Sequence, residues 1–196
     1  MTDHETIAAY DARVDAYAGM TKRQKPDPSL LSFIARIPAG GHVLDLGCGP
    51  AQASAEMRAQ GLDVDPVDAS PEMVRLANET YDIGARQAVF EDIDGTGVYD
   101  GIWANFSLLH AAPEDFPGHL SALARALKPG GTFHIGMKLG SGSARDSLGR
   151  RYAYFSQEEL SAHLSDAGFV TDEVTTGKDK GLAGDIEPWI TILARV

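Results

Sequence analysis

Cysteine is almost missing: Cys48 is the only one in 196 residues. No internal disulfide can form, and no Cys/His spacing of the metal-binding kind occurs, so a disulfide scaffold and a metal centre are both excluded. Basic residues are scarce, with 17 Lys and Arg against 28 Asp and Glu and a formal charge of -11. Phosphate affinity rests on Lys and Arg, so no nucleic-acid partner is expected, although a small basic pocket stays open. Long apolar runs are absent as well. The start, MTDHETIAAYDARVDAY, is acidic and has no signal-peptide core, so neither a membrane span nor a leader is expected. A soluble, cytoplasmic protein is the default reading. There is no internal repeat and no low-complexity tract.

What remains is an ordinary globular composition, 43% hydrophobic and 23% charged, at a length that suits one domain with a sizeable core. Residues 1–40 read as N-terminal helices and 41–196 as the core of that single domain. Ile7, Tyr10, Val14 and Tyr17 fall at helical spacing and form one apolar stripe on one helix. TKRQKPDP is a polar connector. Asp27 caps a helix that has Pro28 at its first position. HVLDLG is a strand; Ala51 to Gln60 is a helix stopped by Gly61.

LDVDPVD is the second strand, followed by a helix capped at Ser70. ARQAVFED and YDGIWANFS are the third and fourth strands. Leu120, Leu123 and Leu127 share a helical face that KPGG ends, and TFHIGMK is the fifth strand. Ser156 and Glu159 form a capping box for a helix terminated by Gly168. FVTDEVTT and WITILARV have no helix between them and pair as an antiparallel hairpin at one edge. Strands alternating with helices mean an α/β sheet, mostly parallel.

In such sheets ligands lie beyond the carboxyl ends of the strands. Asp45 closes the first strand in VLDLGCGPA, and Gly47 and Gly49 let the backbone turn sharply at the start of the next helix. An acid there can accept hydrogen bonds from an ammonium group, or simply organise the turn. Asp68 closes the second strand, where a carboxylate can take both hydroxyls of a ribose or serve as a cap. Asp92, in FEDID, closes the third. Three successive strands ending on an acid at one sheet edge are hard to ascribe to caps alone.

These residues resemble the class I S-adenosylmethionine-dependent methyltransferases. The resemblance runs from about Val43 to the end and is carried by VLDLGCGPA, VDASPEMVRLA, EDI, YDGIWANFSLLHA and LARALKPGGTFHIGMK. It implies a doubly wound, Rossmann-like, seven-stranded sheet with its last strand antiparallel. S-adenosyl-L-methionine is the implied cofactor and S-adenosyl-L-homocysteine the product. It further implies that Gly47, Cys48 and Gly49 approach the methionine and ribose part, with Asp45 supporting the loop. Asp68 would bind the ribose hydroxyls, Ala69 and Met73 the adenine, Asp92 the adenine amino group with Ile93 beside the ring. Asn105, Phe106 and His110 follow the fourth strand, where the family meets the methionine part and the substrate. Two departures stand out: Ala51 occupies a place that is often glycine, and Pro66 removes a ladder donor inside a strand.

A nicotinamide-dependent oxidoreductase shares the strand–glycine–helix logic but wants a third glycine where Gln52 stands. A non-catalytic ligand-binding protein on the same fold is the other alternative. Methyl transfer needs a general base only when the acceptor must lose a proton; His110 is the candidate, its other reading being packing or cofactor contact. His134, in an apolar strand, reads as a core histidine. The segment from Met137 to Ser156 reverses the local charge, with Lys138, Arg145, Arg150 and Arg151 against Asp146, and closes on Tyr152, Tyr154 and Phe155. It reads as a loop-like lid presenting cations to a small anionic acceptor, or as a solvated loop. Tyr10 and Tyr17 are candidates for closing the site from the other side, with core packing as the other reading.

Overall fold

The computed structural model describes residues 2–22, 24–25 and 27–196. In chain order the elements are α1 (His4–Asp11), α2 (Val14–Thr21), α3 (Pro28–Ile34), β1 (His42–Leu46), α4 (Gln52–Ala59), β2 (Asp63–Asp68), α5 (Pro71–Tyr81), β3 (Arg86–Gln87) and β4 (Tyr99–Asn105). There follow α6 (Phe116–Ala126), β5 (Leu127–Lys138), β6 (Gly142–Arg145), β7 (Arg151–Tyr154), α7 (Gln157–Asp166), β8 (Val170–Lys180) and β9 (Ile186–Arg195). Seven strands form one sheet in the order β3-β2-β1-β4-β5-β9-β8, with β6 and β7 as a separate two-stranded ribbon. The strands from β3 to β5 run parallel, and β9 is antiparallel to both its neighbours. The order reverses beside β1, which has β2 on one side and β4 on the other. That places a crevice at the carboxyl ends of β1 and β4.

Both faces of the central strands are buried, as a parallel sheet requires. Leu44, Leu46, Ile102, Ala104, Phe133 and Ile135 pack towards α6 and α7. Val43, Trp103 and Leu193 pack on the other face with Phe33 and Met57. The β1–β2 register runs without a shift through Asp45 opposite Pro66. Because β3 begins only opposite Val67, Pro66 sits before the outer pairing starts, and its missing N–H leaves the ladder intact.

Several expectations are corrected. The stripe from Ile7 to Tyr17 lies on two helices, not one. The first ends at Asp11, whose carboxylate leaves the helix to accept from the Ser70 hydroxyl at 2.5 Å and faces the Glu72 N–H at 3.4 Å. The third strand is two residues long, and Asp92 does not close it. Asp92 lies five residues further on in a 3-10 turn, where its carboxylate caps the Val89 N–H at 2.9 Å. Such a local side-chain bond competes with strand pairing. The fifth strand starts at Leu127, directly after α6, so KPGG belongs to its entry. The Gly/Ser segment after Lys138 is a hairpin rather than a loop, with Arg145 paired to Arg151. Within the expected connector 21–28, residues 23 and 26 lie outside the described residues. No helix among the described residues is long and apolar enough to cross a membrane.

Candidate active site

The turn after β1 is held by backbone bonds. The Gly47 and Cys48 N–H groups both donate to the Val67 carbonyl, at 2.8 and 2.9 Å. Gly47 has φ +77, and a Cβ there would come within 2.4 Å of the Ser107 Cβ. Ala51, at the next helix start, has φ 62, a conformation glycine adopts without cost. Its methyl is buried beside Cys48, Ala77 and Ile83, which offsets part of that strain.

Two acids sit under this turn. Asp68 spans it: Oδ2 accepts from the Gly49 N–H at 2.8 Å and Oδ1 from the Ser70 N–H at 2.9 Å. Burial pushes its carboxyl up, opposed by those two N–H groups. Asp45 is 2% exposed and accepts from the Ser54 hydroxyl at 2.5 Å. Burial raises its pKa to about 7, opposed by Ser54 and reinforced by the charge of Asp68. The Cys48 thiol is also pushed up by burial and by these two acids, which disfavours its thiolate.

Two cavities meet over the turn. The smaller, about 110 Å³, is lined by Asp68, Ala69, Met73, Ala88, Phe90 and Ser107 among others. The larger, about 720 Å³, is lined by Asp45, Cys48, Lys138, Arg150, Tyr152 and Trp189 among others. Tyr10, Tyr17, Gly47, Gly49, Asn105 and Phe106 line both and form the boundary. Phe106 has φ +58, uncommon for a bulky residue and a mark of strain held by its surroundings. The Ser107 hydroxyl is buried without a hydrogen-bond partner among the described residues, and it faces the gap that the absent Cβ of Gly47 leaves.

The N-terminal helices cover this boundary. His110 Nδ1 lies 2.6 Å from the Arg151 carbonyl, so it carries the proton and donates, and Nε2 must accept from the Tyr10 hydroxyl at 2.9 Å. Arg150 Nη1 donates to the same hydroxyl at 3.1 Å. Burial holds His110 at about 4, which keeps the imidazole neutral. His134 is fully buried, held at about 3 by burial, and stacked on Trp103 at 3.6 Å between ring centres. It donates from Nε2 to Asn105 Oδ1 at 3.1 Å, fixing the amide at the boundary.

The four cations of the 138–151 segment are turned towards carboxylates. Arg145 pairs with Asp3 and Glu5, Arg150 with Asp146, and Lys138 with Glu187. Arg151 donates to the His110 carbonyl, and its guanidinium lies 3.8 Å from Asp3. Against burial, Arg145 holds the Asp3 carboxyl at about 2. The segment therefore ties the N-terminal helix to the β6–β7 hairpin.

Most of the expected site residues line the two cavities: Tyr10, Tyr17, Asp45, Gly47, Cys48, Gly49, Asp68, Ala69, Met73, Asn105, Phe106, His110, Lys138, Arg150, Arg151 and Tyr152. Asp92, Ile93 and Arg145 do not. Phe90 and Glu91 stand where Asp92 was expected, because the chain leaves the sheet early. Sequence reasoning also missed Ser107, Asp11, Glu187 and Trp189. Only Trp189 left a signal, as a tryptophan at the head of the apolar run WITILARV. No group of three or more metal-ligating side chains occurs among the described residues.

An acid under a glycine turn, a second acid at the next strand end and an apolar slot beyond it lie together at the switch point of a doubly wound sheet, an arrangement suited to a nucleotide-type cofactor. The residues fit S-adenosylmethionine: a polar end at Asp45 and Ser107, a backbone cradle that a Cβ would fill at Gly47, a carboxylate at Asp68, and a flat apolar slot by Met73 and Ala88. A family model described as a methyltransferase domain matches residues 43–131. Ubiquinone biosynthesis O-methyltransferase of Xanthomonas oryzae pv. oryzae is 31% identical over 146 residues, covering 64% of this chain and 60% of that protein. The 2-heptyl-1-hydroxyquinolin-4(1H)-one methyltransferase of Mycobacteroides abscessus is 28% identical over 125 residues, 57% of this chain and 52% of that one.

In fold, the chain is similar to Burkholderia thailandensis 1,6-didemethyltoxoflavin-N1-methyltransferase, solved with 1,6-didemethyltoxoflavin and S-adenosylhomocysteine. The TM-score is 0.76 at 24% identity, over 100% of this chain and 90% of the other. Residues 43–131 carry a methyltransferase domain, and in sequence and fold the chain is similar to S-adenosylmethionine-dependent methyltransferases of class I. It spans about 60% of the length of the first curated relatives it matches.

Proposed function

We propose that this chain transfers the methyl group of S-adenosylmethionine to a small-molecule acceptor, with the donor's nucleoside in the smaller chamber, its amino-acid end reaching across the boundary to Asp45, and the acceptor in the rest of the larger chamber. The observation that carries this is the shared boundary, where Tyr10, Gly47, Asn105 and Phe106 face both. When bound, the donor supplies a sulfonium methyl carbon open to in-line attack by a lone pair, the C–S electron pair remaining on sulfur. Asp68 accepts from the Gly49 and Ser70 N–H groups and keeps lone pairs with which a carboxylate can take the ribose hydroxyls. Asp45 sits where the donor's ammonium group needs a counter-charge. Tyr10 and Phe106 shut water out of the boundary and align the acceptor.

His110 acts as the anchor of Tyr10: both ring nitrogens are bonded, and a base role requires Tyr10 to give up its bond. A chamber of this size suits a small molecule. An anionic acceptor gains from Lys138 and Arg150 only by competing with Glu187 and Asp146. The test is a screen of metabolite pools for S-adenosylhomocysteine release, preceded by calorimetry with that product. Binding without release from any pool leaves a non-catalytic binder; no binding at millimolar concentration refutes the assignment.

Asp45 makes the donor site pH-sensitive. Without ligand its proton stays on up to about pH 7, while pairing with an ammonium group requires the carboxylate. Affinity for S-adenosylhomocysteine is expected to fall as pH drops below about 7, by up to tenfold per unit, and to level off above it. The folded chain alone has the opposite slope. A carboxyl raised from 3.8 to about 7 favours the fold at low pH and loses that contribution as pH climbs between those values. Calorimetry from pH 5 to 8 checks this; in Asp45→Asn the low-pH loss disappears.

A further inference from the structure

We propose that Trp189 is a stacking platform that selects a planar aromatic acceptor in the larger chamber, an inference that rests on the methyl-transfer reading. The ring is fixed from three sides. Trp189 pairs across the hairpin with Gly177, and a Cβ at Gly177 would come within 2.3 Å of the indole Cζ2. Glycine at that position lets the indole lie over the β8 backbone. The indole N–H donates to Asp179 at 2.9 Å, and the Phe106 ring meets it edge-on at 6.4 Å and 89°. A side chain so restrained has paid its ordering entropy before any ligand arrives.

The other rings of the chamber are engaged. The Lys138 ammonium covers Tyr152 at 3.6 Å, and Tyr10 and Tyr17 pack edge to face at 5.2 Å. Trp103 is buried against His134, whereas Trp189 remains partly exposed and lines the chamber. Charge does not select the occupant, because carboxylates line the chamber as abundantly as cations. Shape and π-surface do. Phe106 touches both the indole and the boundary with the donor chamber, so a flat molecule on Trp189 lies beside the wall through which the methyl group must pass.

The test uses the full chain saturated with S-adenosylhomocysteine. The probes are 2-naphthol, which is planar, and 2-decalol, its saturated counterpart of the same skeleton. By calorimetry, 2-naphthol is expected to bind more tightly than 2-decalol. Trp189→Ala is expected to weaken 2-naphthol roughly tenfold and Trp189→Phe by less, in keeping with the energy of ring stacking. Gly177→Ala, which displaces the indole without removing it, is expected to act in the same direction. S-adenosylhomocysteine affinity stays at the native value in all three, which also shows them folded. Absence of 2-naphthol binding, equal affinity for the two probes, or native 2-naphthol affinity in Trp189→Ala overturns the platform. If S-adenosylhomocysteine itself does not bind the native chain, the methyl-transfer reading falls first and takes this one with it.

Discussion

Replacing Asp68 with alanine is expected to weaken S-adenosylhomocysteine binding by about a hundredfold or more. Two effects add. The carboxylate offers charge-assisted bonds to two ligand hydroxyls, each worth about 1.5–3 kcal/mol. It also holds the Gly49 and Ser70 N–H groups, so its loss loosens the turn that cradles the ligand. Asp68→Asn separates the two: it keeps one acceptor oxygen for the turn but loses the charge, and an intermediate loss is expected. Titration calorimetry reads both, with the thermal midpoint as a check on folding. Native affinity in a folded Asp68→Ala protein identifies Asp68 as a structural tie only.

Gly47→Ala is expected to damage both the fold and the site. The residue sits at φ +77, where an L side chain costs about 1–2 kcal/mol. The new Cβ would also meet the Ser107 Cβ at 2.4 Å, and overpacking of this kind costs roughly 1–3 kcal/mol. Together they lower stability by about 2–5 kcal/mol, visible in a urea melt, and close the gap that leads to the ligand's polar end. Gly61→Ala is the comparison: it has a similar φ of +85 and nothing within 4 Å of the added methyl. It is expected to lose only the backbone contribution, with binding unchanged.

The strands and the turn at Gly47 were legible because their causes are local. Apolar runs ending on an acid and glycine need no partner to be recognised, and the caps at Asp27, Ser70 and Ser156 accept the bonds their spacing predicts. The third strand was misread because its composition suits a strand, whereas beyond Gln87 the chain turns locally, with the Val89 N–H donating to the Asp92 carboxylate. The basic segment was legible as a reversal of charge but not in its direction. Its counter-ions, Asp3, Glu5 and Glu187, lie far away in sequence and are joined to it only by the fold. The Trp189 wall was invisible for the same reason, since Gly177 and Trp189 meet only through the hairpin register.

The N-terminal helix is fastened along its length, with Tyr10 held by His110 and Arg150. Asp3 reaches Arg145, Thr6 accepts from the Arg151 N–H at 2.8 Å, and Asp11 reaches Ser70. The ion pairs among these are partly solvated and individually weak, while Tyr10 between them touches both chambers. The helix is therefore a cover common to both chambers: whatever displaces it changes access for donor and acceptor together. Added salt weakens these ion pairs before it affects the core, so the cover loosens over both chambers while the sheet beneath stays intact.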